Sequence, residues 1–204
     1  MNKKSFSTLI SASILGLLLS TSANANLILN GGFEDANTQI GGGSGWSYYL
    51  ASQVPGWDGS NIELWVNRTP SAYEGKYHAE LNAHGQNSGA WSISQTFSTM
   101  VNRTYDVFFA YRARNGNEAF SVAVDGNTWT LSDHVQGSWS IFSKSFKATS
   151  NEATLTFTSV IPLSGTTGNF IDDVRVNIPE PSALALLGLG LLGIGVARKR
   201  NKRA

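Results

Sequence analysis

Between Asn26 and Ile178 the apolar residues recur at every second position, in short runs, and nowhere keep a helical period. Gly, Asn, Ser and Asp separate the runs. "NIELWV" (61–66) puts Ile62, Leu64 and Val66 on one side, and "YHAELNA" (77–83) opposes Tyr77, Ala79 and Leu81 to His78, Glu80 and Asn82. The same reading aligns Trp91, Ile93, Gln95 and Phe97, then Tyr105, Val107, Phe109 and Tyr111, then Phe120, Val122 and Val124. "NLILN" (26–30), "NTWTL" (127–131), "SIFSKSFKA" (140–148), "ATLTFTS" (153–159) and "NFIDDVRV" (169–176) complete about ten expected strands. Asp125-Gly126-Asn127 marks a tight turn between two of them. Ten short strands with one polar side each predict an all-β fold, an antiparallel β-sandwich or jelly roll. A doubly wound α/β sheet would need amphipathic helices between strands, and the sequence offers none.

The two ends have another character. Lys3 and Lys4 precede an apolar run, Leu9 to Leu19, and Ala23-Asn24-Ala25 supplies small residues for cleavage; residues 1–25 read as a secretory signal peptide. Residues 182–197 are sixteen uncharged residues, a helix of about 24 Å, slightly short for the ~30 Å core of a bilayer. Pro181 suits the first helical turn. Arg198, Lys199, Arg200, Lys202 and Arg203 follow, and would stay on the cytoplasmic side of a transmembrane helix 182–197. Once these ends are set apart, residues 26–178 hold eight basic and thirteen acidic residues, a net charge of −5 inside a chain of +1. Such a domain lacks the basic face that nucleic acid requires. The chain has no cysteine, which removes thiol catalysis and Cys-bound metal centres.

Pro179-Glu180-Pro181, the short apolar helix and the terminal "ARKRNKR" resemble, in that order, the PEP-CTERM sorting signal of Gram-negative bacteria. The resemblance covers 179–204. It implies export through the Sec translocon, a transient membrane anchor, cleavage by an exosortase near the Pro-Glu-Pro motif, and a place on the cell surface or in an exopolysaccharide or biofilm matrix. It says nothing about what the 26–178 domain does.

Within that domain "DANTQIGGGSGWSYYLASQVPGWDG" (35–59) reads as a long Gly- and Ser-rich loop insertion. Its aromatics, Trp46, Tyr48, Tyr49 and Trp57, are more than a linker needs. Asn30-Gly31-Gly32-Phe33-Glu34 near the start and "FIDDVRV" at the close, with "YHAELNA", "SISQTF" and "YDVFFAYR" between, resemble the galactose-binding-like jelly rolls. That group includes carbohydrate-binding modules and a plant cell-wall family of unknown function. If the first and last strands lie together, Glu34 meets Asp172 or Asp173, and a cation would relieve their repulsion. The resemblance points the same way, to a structural Ca2+ on Glu34, Asp172 and Asp173. The other reading makes Glu34 a turn cap and pairs one aspartate with Arg175.

For chemistry on a glycan, two carboxylates must flank one bond. Glu63, Glu74, Glu80, Asp106 and Glu118 are scattered, and nothing in the sequence pairs them. No G-x-S-x-G or H-E-x-x-H occurs, and His78, His84 and His134 have no zinc spacing. The chain is therefore expected not to be an enzyme. Trp46, Tyr48, Tyr49, Trp57, Trp65 and Trp129 sit in loops or short strands, where indole and phenol stack on the C–H faces of sugars. Arg112, with Arg114, Asn115 and Gln86, would orient the hydroxyls; Trp91 and Trp139 look like core. The sequence thus predicts an exported, non-catalytic sandwich that binds polysaccharide. The alternative is a structural or adhesive matrix protein with protein partners, and a glycan-active enzyme stands third.

Overall fold

The computed structural model describes residues 26–35, 45–85, 91–163 and 165–179. The expected signal peptide, the helix 182–197, Glu180 and Pro181 lie outside the described residues. No described helix is long and apolar enough to cross a membrane.

Eleven strands form two sheets: β1 (Gly45–Tyr49), β2 (Asp58–Gly59), β3 (Ile62–Val66), β4 (Tyr77–Glu80), β5 (Ser92–Ser98), β6 (Thr104–Ala113), β7 (Ala119–Val124), β8 (Asn127–Leu131), β9 (Ser140–Lys147), β10 (Glu152–Ile161) and β11 (Asn169–Asn177). The first sheet runs β1-β3-β4-β11-β6-β9 and the second β2-β5-β10-β7-β8. Neighbours are antiparallel throughout. This is the all-β, two-sheet sandwich that the alternation requires. Between the sheets lie apolar faces, among them the predicted Ile62, Leu64, Val107 and Phe109 with Ile171 and Val176 from one sheet, and the predicted Ile93, Phe120 and Val122 with Leu155 and Phe157 from the other, all buried. The Phe109, Phe142 and Phe157 rings stack or meet edge-on there. Asp125 and Gly126 join β7 to β8 with φ of 47° and 78°, the two positive values that a two-residue hairpin turn demands.

Two expectations about local structure change. Residues 26–30 are not a strand. Asn30 and Phe33 take positive φ (52° and 58°), and Phe33 N donates back to the Asn30 carbonyl. The segment still runs along β11: Leu27 N donates to Val176 O, and Val174 N to Gly31 O. Side chains supply further pairing: the Gln95 amide accepts from Leu29 N (2.6 Å) and donates to Leu29 O (2.9 Å), and Asn26 Oδ1 accepts from Ile28 N and Val176 N. The insertion 35–59, expected as loop, contains β1, β2 and a single 3-10 turn, Ala51–Gln53. Trp46 and Tyr48 thus stand on an edge strand and share one face.

The "NGGFE" and "IDDV" segments, at the two ends of the domain, meet in the fold. A Cβ at Gly31 would come within 2.0 Å of Val174 O, so the two segments touch backbone to backbone. β11 bulges between Asp172 and Arg175, with Asp173 at φ 50°. The extra residue breaks the alternation that would put Asp172 and Asp173 on opposite faces, and both are buried.

Candidate functional site

Register alone assembles the outer face of the six-stranded sheet. Tyr48 pairs with Glu63, Glu63 with Glu80, Glu80 with Phe170, and Phe170 with Arg112. One row therefore crosses β1, β3, β4, β11 and β6, and a second row holds Trp46, Trp65 and His78. Directly opposed residues on one face are side-chain neighbours.

At the edge, the His84 ring lies close to both β1 aromatics. Its centroid is 4.7 Å from that of Trp46, with planes 22° apart, and 6.2 Å from that of Tyr48, with planes 26° apart. Trp46 is 37% and Tyr48 48% exposed. His84 Nδ1 stands 2.8 Å from Glu63 Oε2, and its carbonyl accepts from Asn61 Nδ2, which together hold the ring in place.

Behind the stack is a buried polar network. Trp65 Nε1 donates to Glu63 Oε1 (2.9 Å) and to Glu80 Oε2 (3.0 Å). Arg114 donates to both Glu80 oxygens (2.8 and 2.9 Å), and Gly168 N to Glu80 Oε1 (2.7 Å). The Arg68 and Arg114 guanidinium carbons lie 5.1 and 5.0 Å from the Trp65 ring centre. Burial pushes the Glu80 carboxyl up to about 8; the Arg114 hydrogen bond works against the rise and the nearby Glu63 charge adds to it. Next to it His78 is buried and held down at about 3 by burial and then by the Arg112 charge. Neither of its ring nitrogens has a partner.

Several predicted residues fall elsewhere. Trp57 is core, 2% exposed and stacked 5.2 Å from Phe33, with its Nε1 donating to the Asn30 carbonyl. Trp65 lies on the right face, but at 4% exposure it is the floor of the network rather than a stacking platform. Tyr49 turns to the inner side of β1, and Trp129 packs its half-buried ring against Phe142. Trp139, expected in the core, is half-buried on a loop and donates to the Ser71 carbonyl. Arg112 pairs with Phe170 on the outer face and is half-buried, with its Nε buried and unpartnered. Gln86 lies outside the described residues.

Glu34 and Asp172, two of the three residues expected to hold Ca2+, meet the amides of one loop. Glu34 Oε1 accepts from Lys76 N (2.6 Å) and Tyr77 N (2.8 Å), and Asp172 Oδ2 accepts from Tyr73 N (2.7 Å) and Glu74 N (3.0 Å). Asp173 Oδ1 accepts from Arg175 Nε at 2.6 Å. Backbone amides and Arg175 thus occupy Glu34 Oε1, Asp172 Oδ2 and Asp173 Oδ1, while Asp173 Oδ2 is buried without a partner. No group of three His, Cys, Asp or Glu among the described residues could hold a metal ion. The remaining carboxylates are structural as well: Glu118 accepts from the amides of Asn115, Gly116 and Asn117, Asp106 from Ser145, and Glu74 from Arg175.

The Glu63–Glu80 pair, His84 and Arg68 were not assigned to a site from the sequence. Alternation does put Glu63 beside Trp65 and Glu80 beside His78; what it lacks is the β3–β4 register that brings the two carboxylates together.

Comparison with known proteins adds the following. The family model described as "Protein of unknown function (DUF642)" matches residues 26–177, and the PEP-CTERM protein-sorting motif matches 177–200. The latter marks the chain as targeted for export. Halomucin of Haloquadratum walsbyi is 27% identical over 158 residues, which are 74% of this chain and 2% of that protein. The chain therefore spans a very small part of the curated relative it matches. Among solved structures, an arabinose-bound α-L-arabinofuranosidase, MgGH51, is 14% identical, with a TM-score of 0.51 over 76% of this chain and 27% of that one. TmCBM61 in complex with β-1,4-galactotriose is 18% identical, with a TM-score of 0.47 over 76% of this chain and all of that one.

Proposed function

Because the chain belongs to the DUF642 family, whose description assigns no activity, we propose its function from its own geometry: the outer face of the six-stranded sheet binds polysaccharide without catalysis. The observation that carries this is the Trp46–His84–Tyr48 stack, near-parallel, partly exposed and fixed from behind by Glu63. Such rings offer apolar faces to sugar C–H groups, and the polar groups around them supply orientation.

The paired carboxylates argue for binding rather than hydrolysis. Glu63 and Glu80 are fully buried. Their oxygens already receive Trp65, Arg114, Gly168 and His84. A glycosidase pair must flank an open bond with room for the sugar. Here the pair is a support that holds Trp65 and His84.

In the same reading, residues 1–25 direct Sec export. The apolar stretch 182–197 anchors the chain until an exosortase cuts near Pro179, Glu180 and Pro181. The domain is then left at the surface or in the matrix of a Gram-negative bacterium. The sorting-motif match and the A-x-A site support this.

The test uses the full chain in mild detergent on a polysaccharide panel, compared with Trp46→Ala and Tyr48→Ala. Each variant should lose about tenfold or more in affinity, equivalent to ~1.4 kcal/mol, while melting like the parent. Undiminished binding in both variants would refute the assignment of this face. A parent that bound no glycan, yet captured matrix proteins through the same residues, would favour the adhesive alternative.

A further inference from the structure

On the same outer face, beyond the buried network, a cavity of about 510 Å³ opens beneath the loop 67–72. Arg68, Lys76 and Arg112 line it, and no acidic residue does. Among the described residues none of the three forms an ion pair, although this domain carries an excess of acid. Arg68 and Lys76 are exposed, Arg112 is half-buried, and the Arg112 Nε is buried with no acceptor. Burial without a counter-charge also lowers the affinity of Arg112 for its proton.

Three cations around one cavity repel each other, so the fold bears a cost that a bound anion would remove. The cavity is also built. Asp172 fixes the amides of Tyr73 and Glu74, Glu34 fixes those of Lys76 and Tyr77, and Trp139 holds the Ser71 carbonyl. Glu34 and Asp172 thus anchor the loop that shapes a cationic pocket. Gly75, at φ 63°, lets that loop close over Glu34; a Cβ there would meet Glu34 Oε1 at 2.2 Å. A preformed guanidinium fork suits a planar or tetrahedral oxyanion.

We propose that this cavity receives the acidic group of a saccharide, a uronate carboxylate or a sulfate ester, on Arg68, Lys76 and Arg112. The inference rests on the carbohydrate reading for the carrier of the anion, not for the anion site. Arg112 and Tyr48 end one cross-strand row, four strand spacings or roughly 19 Å apart. A single oligosaccharide lying across the strands would reach both the aromatic edge and the basic cavity.

The experiment titrates the full chain in mild detergent with neutral galactan, polygalacturonate and a sulfated galactan, at low and at raised salt. The variants are Arg112→Gln, the triple Arg68→Gln/Lys76→Gln/Arg112→Gln, and Trp46→Ala/Tyr48→Ala. The parent should bind an acidic polymer at least tenfold more tightly than the neutral one, with the preference shrinking as salt rises. The triple variant should lose that preference, so that acidic and neutral polymers bind it alike. A preference for one acidic polymer alone identifies the group as carboxylate or sulfate. An unchanged preference in the triple variant, or none in the parent, overturns the proposal. Should the parent bind no polymer at all, the carbohydrate reading fails by itself. The cavity is then judged with free galacturonate and inorganic sulfate. Either should raise the melting temperature of the parent and not of Arg112→Gln, and equal shifts in both would overturn the anion site.

Discussion

Trp65→Phe isolates the bond on which the buried network turns. One indole N–H serves Glu63 Oε1 at 2.9 Å and Glu80 Oε2 at 3.0 Å, so the two carboxylate oxygens lie within about 6 Å of each other. A hydrogen bond to a charged group contributes about 1.5–3 kcal/mol. Phenylalanine keeps an aromatic ring over Phe170 but removes the shared donor, so the expected loss is about 3 kcal/mol. For a domain of this size that lowers the melting temperature by roughly 6–12 °C. Loss of packing would contribute too, and a double-mutant cycle separates the two effects. Adding Glu63→Gln removes one charge and lets the new amide donate to Glu80, so in the Trp65→Phe background it should restore about half of the loss. Differential scanning calorimetry of the parent, both single variants and the double variant gives the coupling directly. If the two single effects simply add, or if Trp65→Phe costs less than ~0.5 kcal/mol, the carboxylate pair does not depend on the indole and the network argument fails.

Stability should fall as pH rises from 6.5 to 8.5, checked by melting in buffers of equal ionic strength. Burial, opposed by hydrogen bonds, raises Asp172 to about 7, and burial raises Glu80 to about 8, so each stabilises the fold fully below its unfolded pKa and loses that contribution as pH climbs through the folded value. His78, lowered to about 3 by burial, acts in the opposite sense and only below 6.5, which leaves this window to the two acids. Gly31→Ala should destabilise by about 2 kcal/mol or more, since its Cβ meets Val174 O at 2.0 Å, whereas Gly137→Ala, with open space around it, should leave the melting temperature unchanged. Adding a chelator should not move the melting midpoint, because amides and Arg175 already bond Glu34, Asp172 and one oxygen of Asp173; a fall of several degrees with metal recovered by elemental analysis would show a bound cation.

The parts of this fold legible in sequence were those set by a local period. Alternation in 61–66, 105–113 and 120–125 named the faces of β3, β6 and β7, and Asp125-Gly126 named their simplest turn. Residues 26–30 failed because their pairing is not local: the Gln95 side chain and the β11 backbone take their hydrogen bonds, and positive φ at Asn30 and Phe33 turns the chain. β1 was hidden because a single alternation, Trp46-Ser47-Tyr48, sits amid glycines that pointed to a loop.

The site was harder to read for a related reason. Residue type put Trp57 and Trp46 in one class, yet Trp57 lies against Phe33 in the core and Trp46 lies on an edge strand. That difference depends on which strand pairs with which, and composition carries no trace of it. Likewise, acidic residues at two ends of the chain predict a cation, and nothing in the sequence shows that Glu34 and Asp172 also meet the backbone amides of a loop in between. Any buried carboxylate can be satisfied by N–H groups that no side-chain pattern reveals. The unbalanced charge is on the other side of that loop, where Arg68, Lys76 and Arg112 face one cavity without an acid, and it is there that the fold leaves a demand for a ligand.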